Sequence, residues 1–427
     1  MSKPILYTLL IFFTSCNPSE NDFKPEVEII EDGNQFQLYR HGEPYFIKGA
    51  SGFAELEKLK DYGGNSLRTW NTENAGEILD QAHQLGLTVT LGLEVGREWW
   101  GQDFQYWNLK QVNEKIEGLR MIVEKYKDHP ALLMWGLGNE VHVFGGNRLL
   151  IMLTLNKIAK MIHDTDPNHP VMTTTPMGPG FSKYGLMRIL CPYIDLLGVN
   201  GFERIPDLYG EIRSPLGWNK PYILSEWGPQ GHWESGQSEW GASYEKSSSE
   251  KALLMDRNWE IIHRDQELFL GGYAFYWGHK YEVTHTFFSL FSSDGLESES
   301  VNILQSKWKG DSIDNWAPRI DSVLISPNDR KDNIYLVADS TYQARVMASD
   351  VDGDTVRYWW ELRPEGKNYI ESGDFNNTLQ HLLTPMDSST IRIRTPAYEG
   401  PYRLFVFAYD NHDHFASHNI PFYVVVK

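Results

Sequence analysis

Two glutamates, Glu140 and Glu226, stand where short apolar runs end in polar residues. Glu140 closes the run ALLMWGLGNE, and Glu226 closes the run PYILSE. Two carboxyl groups held about 5 Å apart can act together at an acetal carbon, because one attacks the carbon while the other protonates the departing oxygen. Either residue taken alone would more often be a salt-bridged framework group. The interpretation therefore depends on where the two runs lie in the fold.

The runs that carry these glutamates belong to an alternation of short apolar segments and amphipathic stretches, which is typical of βα units and a parallel sheet. We predict eight strands, at residues 46–50, 66–70, 88–93, 132–137, 171–175, 196–200, 222–225 and 272–277. Helical periodicity of apolar positions marks residues 76–85, 109–127, 148–163 and 248–263. No clear helix separates the fifth and sixth strands. The pattern predicts a (β/α)8 barrel, whose functional side chains project from the carboxyl ends of its strands.

The two runs resemble known motifs. HPALLMWGLGNE and PYILSEWG are similar to the strand-four and strand-seven motifs of the clan A glycoside hydrolases, which include family 2 and family 5 enzymes. This resemblance implies that Glu140 is the acid/base and Glu226 the nucleophile of a retaining mechanism. It also implies that Asn139 contacts the sugar 2-hydroxyl. Burial and mutual repulsion could hold the proton on Glu140 while Glu226 stays ionised.

Other positions extend the resemblance. Arg68 matches the strand-two arginine that pairs with the nucleophile, and Trp277 resembles the strand-eight tryptophan that forms the floor of the subsite for the cleaved sugar. Packing in the barrel core is the alternative for Trp277. Glu94, after the third strand, faces the same mouth and is expected to bind sugar hydroxyls, although it could be a surface group.

The sixth strand departs from the clan pattern. Phe202 stands where many members carry a tyrosine that donates a hydrogen bond to the nucleophile, and a phenyl ring cannot donate one. The candidates for a replacement donor are His142, His279 and Asn200. We also expect Asn200, at the end of this strand, to bind substrate.

Tryptophans are frequent in the loops after the third and seventh strands, where demand from the core is low. They could form platforms on which sugar rings stack, or could pack under their own loops. We predict substrate contacts for Trp100 and Trp227. The remaining loop tryptophans are Trp99, Trp107, Trp233 and Trp240. Several platforms would favour a cleft for a chain, and hence endo action.

The net charge of the chain limits the kinds of molecule that it can bind. With 39 Lys plus Arg against 57 Asp plus Glu, the net charge is −18, which repels nucleic acid and anionic lipid surfaces and suits a neutral glycan. The histidines lack the spacing of metal ligands, so we expect neither a metal nor another cofactor to take part in catalysis. Asp350, Asp352 and Asp354 could bind calcium, but a hairpin turn is the favoured interpretation. A monomer is expected.

The start of the chain is typical of an export signal. Lys3 precedes a short apolar segment that ends in Phe13-Thr14-Ser15-Cys16, which resembles a bacterial lipobox. We predict a lipoprotein signal peptide over residues 1–16 with lipidation of Cys16, and a tether over 17–28. The expected location is the outer membrane or cell surface, with a periplasm-facing position as an alternative, and the lipid as the only membrane contact. A soluble secreted protein remains the other interpretation.

A second domain follows the barrel, which we place at residues 29–312. Apolar or alternating runs at 342–347, 355–362, 390–393, 402–408 and 420–426 predict an immunoglobulin-like β-sandwich over 317–427. The pair of domains resembles glycoside hydrolase family 158, whose members act on β-1,3-glucan. An endo-β-1,3-glucanase is therefore the leading hypothesis.

Other functions fit the same sequence. A mannanase, xylanase, galactanase or transglycosylase could use the same two glutamates. A non-catalytic protein that binds surface glycans is the rival from another class. The sandwich itself could bind glycan through Trp359 or Trp360, but consecutive strand residues face opposite ways, so we expect at most one of them to be exposed.

Overall fold

The computed structural model describes residues 24–426 apart from 98–101, 103, 142–145, 178–181 and 367–377. Cys16, Trp99, Trp100 and His142 lie outside the described residues, as does the predicted signal segment 1–16. No helix among the described residues is long and apolar enough to cross a membrane.

A small antiparallel sheet precedes the barrel. It consists of β1 (Val27–Asp32), β2 (Gln35–Arg40) and β3 (Glu43–Tyr45), and His41 and Gly42 both take positive φ in the two-residue turn between β2 and β3. Val27 and Leu38 are buried against residues near the starts of barrel strands, including Leu133. The sheet therefore covers the amino-terminal end of the barrel. The predicted tether over 17–28 is wrong at its last residues, because burial and strand pairing draw Val27 and Glu28 into β1.

Eight parallel strands close into a barrel, as predicted. They are β4 (Ile47–Ser51), β5 (Ser66–Arg68), β6 (Thr88–Leu93), β7 (Leu132–Asn139), β8 (Val171–Pro176), β9 (Leu196–Gly201), β10 (Tyr222–Trp227) and β11 (Phe269–Ala274). The eighth was predicted too late in the chain, because Phe275 to Trp277 follow the end of β11 instead of forming it. The other strands lie where the sequence predicts them, because a parallel strand that is buried on both faces is a nearly continuous apolar run.

Helices surround the barrel. They are α1 (Leu56–Asp61), α2 (Ala75–Gln84), α3 (Leu109–Tyr126), α4 (Arg148–Thr165), α5 (Ser182–Leu190), α6 (Leu208–Arg213), α7 (Ser248–Ile262) and α8 (Glu299–Lys309). The four predicted helices correspond to α2, α3, α4 and α7. Between the fifth and sixth strands, where the sequence showed no clear helix, the structure has α5. Asn108 begins α3 by accepting hydrogen bonds from the backbone N–H groups of Lys110 and Gln111.

The carboxyl-terminal part is a β-sandwich. One sheet has the order β12 (Arg319–Ile325), β14 (Thr341–Ser349), β17 (Thr390–Arg394) and β16 (Leu383–Thr384). The other has the order β13 (Ile334–Val337), β19 (Phe415–Val425), β18 (Gly400–Tyr409) and β15 (Arg357–Pro364). Both sheets contribute to one apolar core that contains Trp360 and Leu362. All pairs are antiparallel except β13 with β19.

The barrel and the sandwich share a buried polar interface. Glu245, which is 1% exposed, accepts hydrogen bonds from Lys251 at 2.6 Å, from Thr284 at 2.6 Å and from Asn419 of the sandwich at 2.7 Å. Arg403 of the sandwich donates to the backbone oxygen of Ser243 in the barrel at 2.9 Å. Buried charges are costly unless they are paired, and here groups from both domains supply hydrogen bonds across the interface.

Replacement of Lys251 by Met should therefore destabilise the whole protein. The change leaves the Glu245 carboxylate buried without its ion-pair partner, which typically costs about 3–5 kcal/mol. Urea unfolding followed by tryptophan fluorescence measures the loss. The control is the double variant Glu245→Gln with Lys251→Met, which removes both charges and should be more stable than the single variant. Equal stability of Lys251→Met and the wild type would contradict this account of the interface.

Candidate active site

Glu140 stands at the carboxyl end of β7, where the backbone turns sharply. Gly138 and Glu140 both have positive φ, at 69° and 55°, and the backbone N–H of Glu140 donates to the carbonyl oxygen of Thr174 at 3.0 Å. A glutamate rarely adopts this left-handed conformation, and such positions concentrate at functional sites. The turn leaves Asn139 and Glu140 partly exposed at the mouth of the barrel.

Glu226 lies on β10 and is 8% exposed. Its Oε1 accepts hydrogen bonds from Arg68 Nη1 at 2.8 Å and from Trp70 Nε1 at 2.7 Å. The pairing of Arg68 with Glu226 is the contact that the sequence predicted. Both donors bind the same carboxylate oxygen, so they hold Glu226 in one orientation.

Arg68 also joins the two glutamate-bearing strands. It is 2% exposed, and its Nη2 donates to Asn139 Oδ1 at 2.8 Å while Nη1 contacts Glu226. The planar guanidinium presents its donors in a fixed geometry. One side chain on β5 therefore positions Asn139 on β7 and Glu226 on β10 relative to each other.

Asn200, on β9, binds the other glutamate. Its Nδ2 donates to Glu140 Oε1 at 2.7 Å, and its Oδ1 accepts from Ser225 Oγ at 2.8 Å. Its hydrogen bond therefore goes to Glu140, and the suggestion that it supplies a donor to Glu226 is wrong. His279 lines a cavity beside the sandwich instead. The missed donor is Trp70, whose position two residues after Arg68, where β5 ends, was the available signal.

The environment of Glu140 favours its protonated form. Burial raises the pKa of Glu140 to about 7, and the negative charge of Glu226 acts in the same direction. The hydrogen bond from Asn200 and the positive charge of Arg68 oppose this rise. The mouth thus combines a carboxyl group that keeps its proton near neutral pH with an ion-paired carboxylate, which is the arrangement that acid and nucleophile roles require.

The two tryptophans predicted beside the glutamates do not reach the mouth. Trp227 is 1% exposed and packs near Trp259, with 6.1 Å between ring centroids. It follows Glu226 directly, and because successive strand residues face opposite sides, an inward Glu226 directs Trp227 towards the helices. The prediction that Trp227 binds substrate is therefore wrong in this structure.

Trp277 is also in the core. It is fully buried, it packs against Phe291 and Trp308 at 4.9 and 5.7 Å between ring centroids, and its Nε1 donates to the backbone oxygen of Glu55. The predicted floor of the subsite is therefore wrong, and the alternative of core packing holds. The eighth strand ends earlier than expected, which changes the side to which each following residue points.

Trp70 and Tyr276 form the aromatic wall beside Glu226. Their rings stack at 6.1 Å between centroids with an interplanar angle of 17°, and both are partly exposed. Behind them, Phe202, Phe275 and Phe288 form a buried aromatic cluster. Phe202 thus contributes apolar packing, and Trp70 donates the hydrogen bond to Glu226.

The loop residues differ in their surroundings. Glu94 is exposed after the end of β6 and accepts a hydrogen bond from Gln102 at 2.8 Å. Trp107 and Trp233 are 67% and 59% exposed, and could serve as platforms. Trp240 instead packs against Tyr335 and Tyr423 of the sandwich.

The aspartates considered for calcium lie in the sandwich. Asp350 Oδ1 accepts hydrogen bonds from the backbone N–H groups of Asp352 and Asp354 at 2.9 and 3.0 Å, as in a side-chain-stabilised turn. Ligand oxygens of Asp350, Asp354 and Asp410 lie within 4.8 Å of one another. Within the described part of the chain, the group that could hold a metal ion therefore belongs to the sandwich and does not include either glutamate.

Comparisons of sequence point to glycosidases. No family model matches the chain. It is 24% identical over 229 residues to a beta-glucuronidase of Chlorocebus aethiops. The aligned region covers 45% of this chain and 32% of that protein. The chain is also 37% identical over 67 residues to mannan endo-1,4-beta-mannosidase F of Aspergillus clavatus. That aligned region covers 14% of this chain and 15% of that protein. The chain spans about a third or less of these relatives.

Comparisons of structure support the fold. Ruminococcus gnavus beta-glucuronidase aligns with a TM-score of 0.51 and 16% identity, covering 67% of this chain and 53% of that one. Bacteroides uniformis beta-glucuronidase 2 aligns with a TM-score of 0.52 and 13% identity, covering 94% of this chain and 48% of that one. At this level of identity the likeness establishes the architecture of a barrel with β-sheet domains, and no more.

The raised pKa of Glu140 should be measurable as a pH-dependent stability. The folded protein keeps this proton up to about pH 7, whereas the unfolded chain releases it near 4.5. The stabilisation from the folded carboxyl group is therefore complete below about pH 4.5 and is lost as the pH rises through about 7. Gln cannot ionise, so we expect Glu140→Gln to raise the Tm at pH 8 relative to the wild type.

The same comparison near pH 4.5 should show no such gain, because both side chains are then neutral. Differential scanning calorimetry across pH 4.5–8 measures the difference. Glu117→Gln, at an exposed position on α3, is the matched control for the loss of one carboxylate. A Tm difference between Glu140→Gln and the wild type that does not change with pH would show that Glu140 titrates normally.

Proposed function

We propose that this protein is a retaining glycoside hydrolase in which Glu140 is the acid/base and Glu226 the nucleophile. The observation that carries the proposal is the difference between the two carboxyl groups at one mouth. Burial raises the pKa of Glu140 to about 7, while Glu226 is paired with Arg68 at 2.8 Å. The partial sequence likeness to beta-glucuronidases and a mannosidase supports the same reaction class.

The geometry assigns a role to each oxygen in the first step. Arg68 and Trp70 both donate to Oε1 of Glu226, so we assign the attack on the anomeric carbon to Oε2. As the bond from Oε2 to carbon forms, the glycosidic C–O bond breaks, and Glu140 gives its proton to the departing oxygen. The product is a glycosyl ester on Glu226 and a released alcohol or sugar.

The second step reverses these roles. Glu140, now a carboxylate, takes a proton from water, the oxygen of that water bonds to the anomeric carbon, and the ester bond to Glu226 breaks. Two inversions restore the β configuration in the product. A transglycosylase would follow the same path with a sugar hydroxyl in place of water.

The substrate that we propose is a β-linked polysaccharide cut within the chain, with β-1,3-glucan as the leading candidate. The exposed rings of Trp107 and Trp233 support an extended cleft, since flat aromatic faces can stack on several sugars of one chain. β-Mannan, xylan and galactan remain alternatives. A β-glucuronide belongs in the same panel because several relatives carry the name beta-glucuronidase.

An activity screen against this panel tests the proposal. We expect the wild type to cleave at least one substrate and to release a β-anomer first, as observed by proton NMR at early times. Glu226→Gln and Glu140→Gln should each lower kcat/KM by at least about 10²–10⁴-fold, the range for loss of a positioned acid or base. Glu117→Gln serves as the control and should match the wild type.

Azide separates the two roles. Glu140→Ala should regain activity on an aryl glycoside with a good leaving group when azide is added, because azide can attack the glycosyl ester without a general base. Glu226→Ala should give no β-configured azide product. If both glutamine variants bind oligosaccharide and match the wild type in turnover, the catalytic assignment is wrong. Binding without turnover by the wild type would favour the non-catalytic protein.

Replacement of Trp70 by Phe tests the donor that substitutes for the usual tyrosine. The variant keeps an aromatic ring for stacking on Tyr276 but removes the hydrogen bond to Glu226. A hydrogen bond to a charged group contributes about 1.5–3 kcal/mol, so kcat/KM should fall roughly 10- to 100-fold.

The split between kcat and KM distinguishes this from a general loss of structure. The indole donor holds the carboxylate of Glu226 in place for its attack, so we expect kcat to fall while KM changes little. The Tm should stay close to that of the wild type. An unchanged kcat would show that Trp70 does not position the nucleophile.

A further inference from the structure

A cavity of about 740 Å³ lies between the barrel and the sandwich. Its barrel side is the segment after β11, including His279, His285 and Asp294, and its sandwich side is the outer face of β15 with the β18–β19 connection. Pockets that bind small ligands span roughly 300–1,000 Å³. The cavity thus has the size of a binding site, and both domains contribute its walls.

An exposed tryptophan lies on the sandwich side. Trp359 is 38% exposed and lines the cavity, whereas its neighbour Trp360 is fully buried in the sandwich core. Strand alternation on β15 directs Arg357, Trp359, Glu361 and Arg363 to the cavity. An indole ring on the outer face of a sheet gives no support to the core of its own domain. Its apolar surface is available to a ligand.

Polar groups surround this ring. Glu361 and Arg363 form an ion pair at 2.8 Å, and Arg357 donates to the backbone oxygen of Asp410. His285 is 9% exposed, and neither of its ring nitrogens has a hydrogen-bond partner among the described residues, although Nε2 lies 3.7 Å from Glu361 Oε2. Burial lowers the pKa of His285 to about 3, so the neutral ring offers one donor and one acceptor.

This cavity lies close to the proposed catalytic centre. His279 lines the cavity, and it stands three residues after Tyr276, whose ring stacks on Trp70 beside Glu226. Three residues of extended chain span at most about 11 Å. A glycan chain that leaves the mouth over Tyr276 could therefore enter the cavity without crossing a long stretch of surface.

We propose that the interdomain cavity is a second binding site for the same β-linked glycan chain, with Trp359 as the ring on which a distal sugar stacks. The proposal rests on the proposed function and extends it. One aromatic face with carboxylate, guanidinium and imidazole groups around its edge suits a sugar ring, which has apolar C–H faces and a rim of hydroxyls. The sandwich then contributes directly to recognition of the polymer.

The test compares long and short substrates of one sugar. The long substrate is a hexasaccharide of the panel glycan that the wild type degrades, and the short one is the aryl glycoside of the same sugar. For Trp359→Ala, the ratio of kcat/KM on the hexasaccharide to kcat/KM on the aryl glycoside should fall about tenfold, as expected from the loss of one stacking contact. The fall should come mainly from a higher KM.

Tyr398→Ala is the matched control, because Tyr398 is an 81% exposed aromatic residue of the sandwich that does not line the cavity. This control should keep the wild-type ratio. Affinity gel electrophoresis of Glu226→Gln with and without Trp359→Ala, in gels that contain each panel polysaccharide, gives a second readout without turnover. Retardation should weaken when Trp359 is replaced.

The outcomes separate the two proposals. If the wild type cleaves the aryl glycoside and Trp359→Ala keeps both the ratio and the gel retardation, the cavity is not a glycan site although the reaction is as proposed. If the wild type cleaves no panel substrate while retardation still depends on Trp359, the proposed reaction fails and the binding site stands. A ratio lowered equally by Tyr398→Ala would assign the effect to the stability of the sandwich and overturn the proposal.

Discussion

The buried guanidinium of Arg68 is the interaction on which the mouth of the barrel depends. It stands on β5 and contacts Glu226 on β10 and Asn139 on β7. The carboxyl ends of these three strands must therefore lie at the same level of the barrel, around one planar group. A buried arginine is costly unless its donors are paired. The backbone oxygen of Ser225 takes a further hydrogen bond from Nη1, while Nε remains without a partner among the described residues. The same contacts of Arg68 therefore hold the three strands in register and fix the positions of Glu226 and Asn139 at the mouth.

The surroundings of Glu226 combine apolar packing with one indole donor. Phe202 lacks a hydroxyl, and its ring packs against Phe275 and Phe288 at 5.8 and 5.7 Å between centroids. This packing supports the wall formed by Trp70 and Tyr276, and the indole of Trp70 supplies the donor to Glu226. Phe202, after the end of β9, thus contributes packing, and Trp70, after the end of β5, contributes the hydrogen bond. The relation between these two residues is visible only in the folded barrel, because they are distant in the sequence.

Much of the architecture followed from local patterns. The eight barrel strands were predicted because buried parallel strands are nearly continuous apolar runs, and the contact of Arg68 with Glu226 followed from the resemblance to clan A motifs. Trp227 and Trp277 were misassigned for a geometric reason, since the facing of a side chain depends on the residue at which the strand begins or ends. Residues 275–277 have the apolar pattern of a strand, but they follow the end of β11. Trp70 was missed because its partner lies 156 positions later in the chain.

The sheet formed by β1, β2 and β3 has a consequence for how the interior of the barrel is reached. It covers the amino-terminal end of the barrel, and the backbone of Val27 is fastened there by a hydrogen bond to the carbonyl oxygen of Asn168. The glutamates lie at the opposite end of the same strands. Residues 24–27 therefore lie at the face away from the mouth. Because the sheet closes this end of the barrel, a molecule in solution reaches the interior of the barrel from the end that carries the glutamates.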